Sequence, residues 1–173
     1  MKRIFAFILV VALFMSLIGC GSKEEPFDLS AYKEKVSACC TSVDEHIINY
    51  GNIAQYQNNY WNNMEQFTGT VTEENLLSAA EEWFVEKTST SFADLDAIYQ
   101  EHTAAYKEII LMEIEGKEAE EIDAQFRVFF GAYMDLHNMV MSPSCSHSEF
   151  IQNYNEYIDA YTSAQSHLAL FLE

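Results

Sequence analysis

The chain has 173 residues, of which 27 are aspartate or glutamate and 9 are lysine or arginine, so its formal net charge is −18. Nucleic acid and anionic lipid surfaces repel such a protein, which excludes both as direct partners, whereas cationic ligands and divalent ions are attracted to it. The length is that of one domain, large enough to bury a core without disulfides or metal ions.

The first twenty residues have the pattern of a secretory signal. A basic start at Lys2 and Arg3 is followed by a run at 4–18 that is apolar except for one serine. The run has 18 − 4 + 1 = 15 residues, whereas a membrane-spanning helix needs about 20 apolar residues, so it is short for a permanent span. It ends in Leu-Ile-Gly-Cys at 17–20, which resembles the lipobox of bacterial lipoproteins.

This resemblance implies that residues 1–19 form a signal peptide that is cleaved off and that the Cys20 thiol carries a lipid. The lipid would hold the protein on the extracytoplasmic face of the cell membrane. Residues 20–28 are short and polar and predict a tether, and residues 29–173 predict a single helical domain. Processing leaves 9 − 2 = 7 basic residues against 27 acidic ones, a formal charge of 7 − 27 = −20.

A long first helix is predicted by apolar residues that recur in steps of three and four from Val36 to Met64. This spacing is typical of the seam of a helix packed in a bundle. Asp28 is placed to cap its first turn, because an aspartate oxygen can accept from the free backbone N–H groups there. Gln57 is the one strongly polar residue on the seam.

Four further helices are predicted, and the second of them in chain order, at 73–87, is short. Each has a start or stop signal of the kind that caps or breaks helices. No segment alternates apolar and polar residues with period two, so the predicted fold class is all-α, an up-and-down bundle of four to five helices. The signals are Thr72 and Ser91 with Asp94 as starts, Gly116 and Pro143 as stops, and Ser146 with Glu149 as the last start.

Two topologies fit this pattern, and they place the cysteines differently. If all five helices alternate in direction, the first and fifth are parallel, and Cys145 lies within one turn of Cys39 and Cys40. This topology, which we favour, predicts a Cys40–Cys145 disulfide, with Cys39–Cys145 as the alternative. If the short second helix is only a crossover, the bundle has four helices and Cys145 lies at the far end, where no disulfide forms.

One stretch of the fourth helix has the residue types of a soft-metal site. Met134, His137 and Met141 share one face and offer the thioether and imidazole ligands that copper(I) prefers. That face borders the core seam, where methionine commonly fills gaps, so core packing is the preferred interpretation. His102 lies on the third seam, but neither it nor His137 has a glutamate three residues earlier, as di-iron bundles require, and both predict buried, hydrogen-bonded histidines.

An acidic tip is predicted around Gly116. Alternating helices would place it far from the membrane, where it could hold a divalent cation loosely or meet a basic partner, although the ligand order of an EF-hand is absent. A solvated loop is the preferred interpretation. Lys117 is the only basic residue near in sequence to the carboxylates of the tip, which are Glu113, Glu115, Glu118, Glu120, Glu121 and Asp123.

Three tyrosines and the motifs missing from the sequence bear on function. Tyr56, Tyr60 and Tyr157 lie off the seams and predict an aromatic surface for a partner. No nucleophile elbow or glycine-rich phosphate loop is present, so we predict neither an enzyme nor a cofactor. The prediction is a membrane-anchored module that binds a protein or cationic ligand. The alternative is a small-ligand or metal-binding lipoprotein that uses the Met134/His137/Met141 face or the acidic tip.

Overall fold

A computed structural model describes residues 27–66 and 71–172 of the chain. The predicted signal peptide, Cys20 and most of the tether lie outside this part. The described residues form helices and no strand, which confirms the all-α class. The helices are α1 (Leu29–Gln66), α2 (Glu73–Thr88), α3 (Phe92–Ile110), α4 (Lys117–Met141) and α5 (His147–Leu172).

The predicted helix starts are confirmed. Each depends on residues only two or three positions apart, so it could be predicted from the sequence alone. Asp28 Oδ1 accepts from the backbone N–H groups of Ser30 at 2.9 Å and of the following residue at 3.2 Å. At α3, Ser91 and Asp94 form a reciprocal capping box. The equivalent bonds at the start of α5 join Ser146 and Glu149, and Thr72 caps α2.

The predicted end of the third helix is wrong. The helix α3 ends at Ile110 rather than at Gly116, which has a φ of +94° and instead precedes α4. A longer α3 would have placed Glu113 and Glu115 at the negative end of the helix dipole, which disfavours carboxylates. A positive φ costs glycine little, so Gly116 can turn the chain into α4.

The favoured five-helix alternation is also wrong. Along α1, Tyr56 stacks on Trp83 of α2 at a ring-centroid distance of 4.8 Å. Nearer the start of α1, Ser42 hydrogen-bonds His102 of α3 at 2.9 Å. The helices α2 and α3 therefore run one after the other in the same direction, antiparallel to α1, with a short break between them. Ser89, with a φ of 58°, lies in that break.

Since α2 and α3 together form one rod of the bundle, the remaining two helices complete an up-down-up-down arrangement of four rods. The rod α4 is parallel to α1, since Lys33 pairs with Glu118 near both starts. The helix α5 is antiparallel to α1, since His147 Nε2 lies 2.8 Å from Asn58 Oδ1, while Tyr161 lies beside Asp44. The competing topology is thus correct in its rod count, but α2 packs on α1 as half of a rod.

This topology overturns the predicted disulfide. Cys39, Cys40 and Cys145 are all free thiols. Cys145 lies two residues before His147, which contacts Asn58, and that position is 58 − 40 = 18 residues along α1 from Cys40. At a rise of about 1.5 Å per residue, the two sites are roughly 27 Å apart along the bundle. Both the Cys40–Cys145 pairing and the Cys39–Cys145 alternative are excluded by this geometry.

Thiol titration checks this correction. We expect the processed chain with Cys20→Ser, unfolded without reductant, to give three free thiols. A count of one free thiol would mean that a disulfide forms. In the native protein Cys145 is half-buried and should react first. Cys39 should react far more slowly, because burial raises the pKa of its thiol to about 12 and leaves almost no thiolate.

The core is built around α4, where the residues that recur in steps of three and four are buried as this spacing predicts. The same spacing predicts that Trp83 and Ile151 are buried, and at these two positions the structure buries a neighbouring residue instead. Phe84 rather than Trp83 is buried on α2. On α5, Phe150 is buried in place of Ile151, which is 39 % exposed. This shift leaves Ile151 on a surface facing α1. The buried seam of α4 comprises Ile122, Phe126, Phe129, Tyr133, Leu136 and Val140.

Candidate functional site

An open groove of about 810 Å³ runs between α1 and α5. Its walls are apolar: Ile48 of α1 is 64 % exposed, and Ile151 faces it from α5 with Tyr154 alongside. Gly51 contributes to the α1 wall, where an added Cβ would stand 3.4 Å from the Tyr154 hydroxyl. The absence of a side chain at Gly51 therefore lets the Tyr154 hydroxyl approach the backbone of α1 closely in the middle of the groove.

The groove ends at a bridge made by Asp44. One oxygen of this carboxylate accepts a short hydrogen bond from the Tyr161 hydroxyl, and the other accepts from Gln165 Nε2 at 2.8 Å. Burial and the adjacent carboxylate raise the pKa of Tyr161, so its hydroxyl keeps its proton. Beyond the bridge a second cavity of about 460 Å³ continues between the same helices, with Cys40 in its wall.

The rim of the groove is polar but carries no positive charge. Amide side chains line it on both sides, including Asn52, Gln55 and Asn155. From Val36 onward α1 contains no lysine or arginine, and neither does α5. The acidic residues of these two stretches are Asp44, Glu45, Glu65, Glu149, Glu156 and Asp159. The helices that form the groove therefore present a neutral rim within a negative field.

A chain of polar side chains crosses the core behind the groove. Ser42 Oγ lies 2.9 Å from His102 Nε2, and His102 Nδ1 lies 2.9 Å from the Tyr133 hydroxyl. Tyr133 hydrogen-bonds Tyr50, whose hydroxyl is 3.0 Å from His137 Nδ1. One proton assignment satisfies every group: Ser42 donates to His102, His102 to Tyr133, Tyr133 to Tyr50, and Tyr50 to His137. These hydrogen bonds connect α1, α3 and α4 across the core.

His102 and His137, the two histidines of this hydrogen-bonded series, are neutral at pH 7. Burial lowers the pKa of His102 to about 4, and the nearby His46 ring adds to the effect. Burial also lowers the pKa of His137 to about 4, against the opposing influence of Asp96, whose Oδ1 is 3.7 Å from His137 Nε2. Neutral imidazoles in fixed tautomers suit a structural role and confirm the prediction of buried, hydrogen-bonded histidines.

The soft-metal face does not present free ligands. His137 directs Nδ1 to Tyr50 and Nε2 toward Asp96, and its ring stacks on Tyr99 at a centroid distance of 3.6 Å. Met134 and Met141 pack against the core as partly buried side chains. A metal ion would have to displace these contacts. In the described ranges, no group of three or more His, Cys, Asp or Glu side chains could hold a metal ion.

The acidic tip is at the other end of the bundle from the one predicted. It lies beside the start of α1, because α2 and α3 run in one direction and return the chain to that end of the bundle before α4 begins. Glu118 pairs with Lys33 at 2.8 Å, and Asp123 pairs with Arg127 at 2.6 Å and with the Tyr32 hydroxyl at 3.4 Å. Sequence proximity pointed to Lys117 alone, but tertiary packing and the next helical turn supply two more cations.

The predicted tyrosine surface is divided. Tyr56 and Tyr60 pack together at 6.4 Å, and Tyr56 also stacks on Trp83. Tyr157 lies on α5 against the core, and across the described residues no aromatic contact joins it to the other two. Sequence reasoning missed the groove, whose one signal was the Ile47-Ile48 pair, in which a second isoleucine follows a seam position.

Comparison with known proteins gives no further guidance: no family model, no curated protein and no solved structure matches the chain.

Proposed function

We propose that this chain is a lipoprotein, anchored through Cys20 to the extracytoplasmic face of a membrane, and that its bundle binds a partner through the groove between α1 and α5. Support for the anchor is the signal-like start and the lipobox at 17–20. Across the described residues, no helix is long and apolar enough to cross a membrane. The helix α1 begins at Leu29, 29 − 20 = 9 residues after Cys20.

The observation that carries the binding function is the exposure of Ile48 and Ile151 in one groove. Isoleucine side chains in this state leave apolar surface in water, and apolar surface gains about 25 cal/mol per Å² on burial. Exposed apolar surface rimmed by polar groups is typical of interaction sites. The surrounding amides would orient a ligand, because they offer both donors and acceptors.

The anchor would also determine which end of the bundle faces the membrane. Nine residues reach at most about 30 Å, so the end of the bundle that holds the acidic tip would face the lipid. An anionic surface repels that end, which would keep the body on its tether rather than flat on the membrane. The groove would then remain accessible to partners in the extracytoplasmic space.

Metabolic labelling tests the anchor. Cells that express the full chain with radiolabelled palmitate should yield a labelled product, because lipid transfer requires the Cys20 thiol. Cys20→Ala should abolish the label, whereas Cys39→Ala, which removes a buried thiol, should keep it. An unlabelled wild-type protein, or label retained in Cys20→Ala, would contradict the anchor.

Site-specific photo-crosslinking in the native host tests the groove. A photoreactive phenylalanine analogue at Ile48 should give a discrete adduct. The same analogue at Val128 of α4, which is 54 % exposed on another face, should not. Equal adducts at both positions, or none at Ile48, would contradict a binding role for the groove.

A further inference from the structure

We infer that the groove between α1 and α5 binds a basic amphipathic helix of a protein partner. This inference rests on the proposed function, which it extends by naming the chemistry of the partner. Three features of the groove carry it: its length, its apolar walls and the sign of its surrounding charge.

The shape of the groove favours an elongated occupant. Its α1 wall extends from Asp44 to Asn58, a separation of 58 − 44 = 14 residue steps, or about 21 Å at the rise of an α-helix. The groove is open along its length and would enclose only one side of its occupant. The described part of the chain has no strand edge to which a peptide could add, so the recognition mode that fits is an amphipathic helix in a groove.

The walls supply apolar contacts from both sides of the groove. Ile48 and Ile151 project from opposite helices, and Tyr154 adds a ring beside Gly51. A helix laid between two antiparallel helices would bury side chains at positions i, i+3 or i+4, and i+7 against such walls. Its polar face would remain outside, over the amides of the rim.

The charge selects a cationic partner. No lysine or arginine is present in α5 or in α1 after Lys35, so nothing in these stretches would neutralise an acidic ligand. Asp44 lines the groove, and the exposed Glu45 and Asp159 lie on the same two helices, so the charge favours a basic polar face. A second copy of this chain is disfavoured as occupant, because pairing two such faces would bring acidic residues together without cations.

Fluorescence anisotropy with designed peptides tests the inference. The protein is the processed chain with Cys20→Ser, which retains all five helices and the core they enclose. The probe is a labelled 14-residue peptide of leucine and lysine with leucine at every third or fourth position. Two controls have the same length: a leucine–glutamate peptide of the same pattern, and a leucine–lysine peptide shuffled to spread leucine around the helix.

Two pairs of substitutions locate the site. Replacing Ile48 and Ile151 by asparagine should weaken binding of the leucine–lysine peptide at least tenfold. The matched control, asparagine at Val85 and Val128, removes two valines of similar exposure elsewhere and should leave affinity within twofold. All four positions are exposed, so the variants should keep the wild-type circular dichroism spectrum and melting temperature.

A charge swap at the rim tests the electrostatic part. Gln55→Lys with Asn155→Lys should weaken the leucine–lysine peptide and improve the leucine–glutamate peptide. Equal binding of the shuffled or acidic peptide to the wild type, unchanged binding after the isoleucine substitutions, or no binding of the leucine–lysine peptide would each overturn the inference. If peptides fail while the adduct at Ile48 still forms in cells, the binding function stands and only the basic helix is wrong. If both fail, the groove is not a binding site.

Discussion

Acidification from pH 7 to pH 4.5 is expected to lower the free energy of unfolding by about 2 kcal/mol for each of His102 and His137. Burial holds the pKa of each near 4 in the folded protein, whereas an unfolded histidine titrates near 6.5. The unfolded state therefore binds more protons below pH 6.5. Stability is full above that pH and is lost as the pH falls toward 4.

Urea unfolding followed by circular dichroism at pH 7, 5.5 and 4.5 measures this loss, and a His102→Gln variant measured in parallel separates it from carboxylate titration, which begins below about pH 5.5. His102→Gln keeps a side chain that can hydrogen-bond Ser42 and Tyr133 and should remove about half of the pH dependence. A His102→Gln variant that loses as much stability as the wild type between pH 7 and pH 4.5 would show that His102 is not held neutral by burial.

Phe129→Ala is expected to destabilise the fold by about 3–5 kcal/mol. Phe129 is fully buried in α4 and packs on Tyr161 of α5 at a ring-centroid distance of 4.8 Å. The contact between α4 and α5 is the most extensive between any two helices of the described chain. Truncation leaves a cavity in this interface and removes the ring that supports Tyr161 in its bond to Asp44.

The matched control is Val128→Ala, one residue earlier in the same helix. Val128 is 54 % exposed, and its loss should change the free energy of unfolding by no more than about 0.5 kcal/mol. Chemical denaturation of both variants at pH 7 gives the comparison. A similar cost for the two substitutions would mean that the face of α4 assigned to the core is wrong.

Local signals in the sequence predicted the helices well, because caps act over two or three residues. Ser146 with Glu149 and Ser91 with Asp94 form the expected hydrogen bonds. The end of α3 was predicted wrongly because apolar spacing continues to Met112 and does not reflect the unfavourable position of Glu113 and Glu115 at the negative end of the helix dipole. The one-residue shift from Ile151 to Phe150 reflects the drift of a helix against a strict heptad, which grows with length.

Helix order was less predictable, because loop length does not determine whether two helices turn back or continue. The break at Ser89 is short, and a short connection predicted reversal, yet α2 and α3 continue in one direction. That single error moved Cys145 and the acidic tip to the wrong ends. The polar residues His102, Tyr50 and Tyr133 were all on predicted seams, but their mutual contacts depend on the register between helices.

The groove could not be predicted from the sequence either, because it depends on which helices pack side by side. Ile48, Gly51 and Ile151 are unremarkable in sequence, and they form one surface only when α5 runs antiparallel to α1. The lack of lysine and arginine in α5, and in α1 after Lys35, can be read from the sequence alone. It acquired meaning when both helices were found to border one groove.

The most direct test of the account is the location of a cationic amphipathic helix on the protein. An NMR titration of the isotope-labelled processed chain with the leucine–lysine peptide would follow every backbone amide. We predict chemical shift changes concentrated at 44–58 of α1 and 150–158 of α5. Changes centred on the acidic tip at 113–123, where carboxylates are densest, would mean that bulk charge rather than the groove attracts the peptide and would contradict the account.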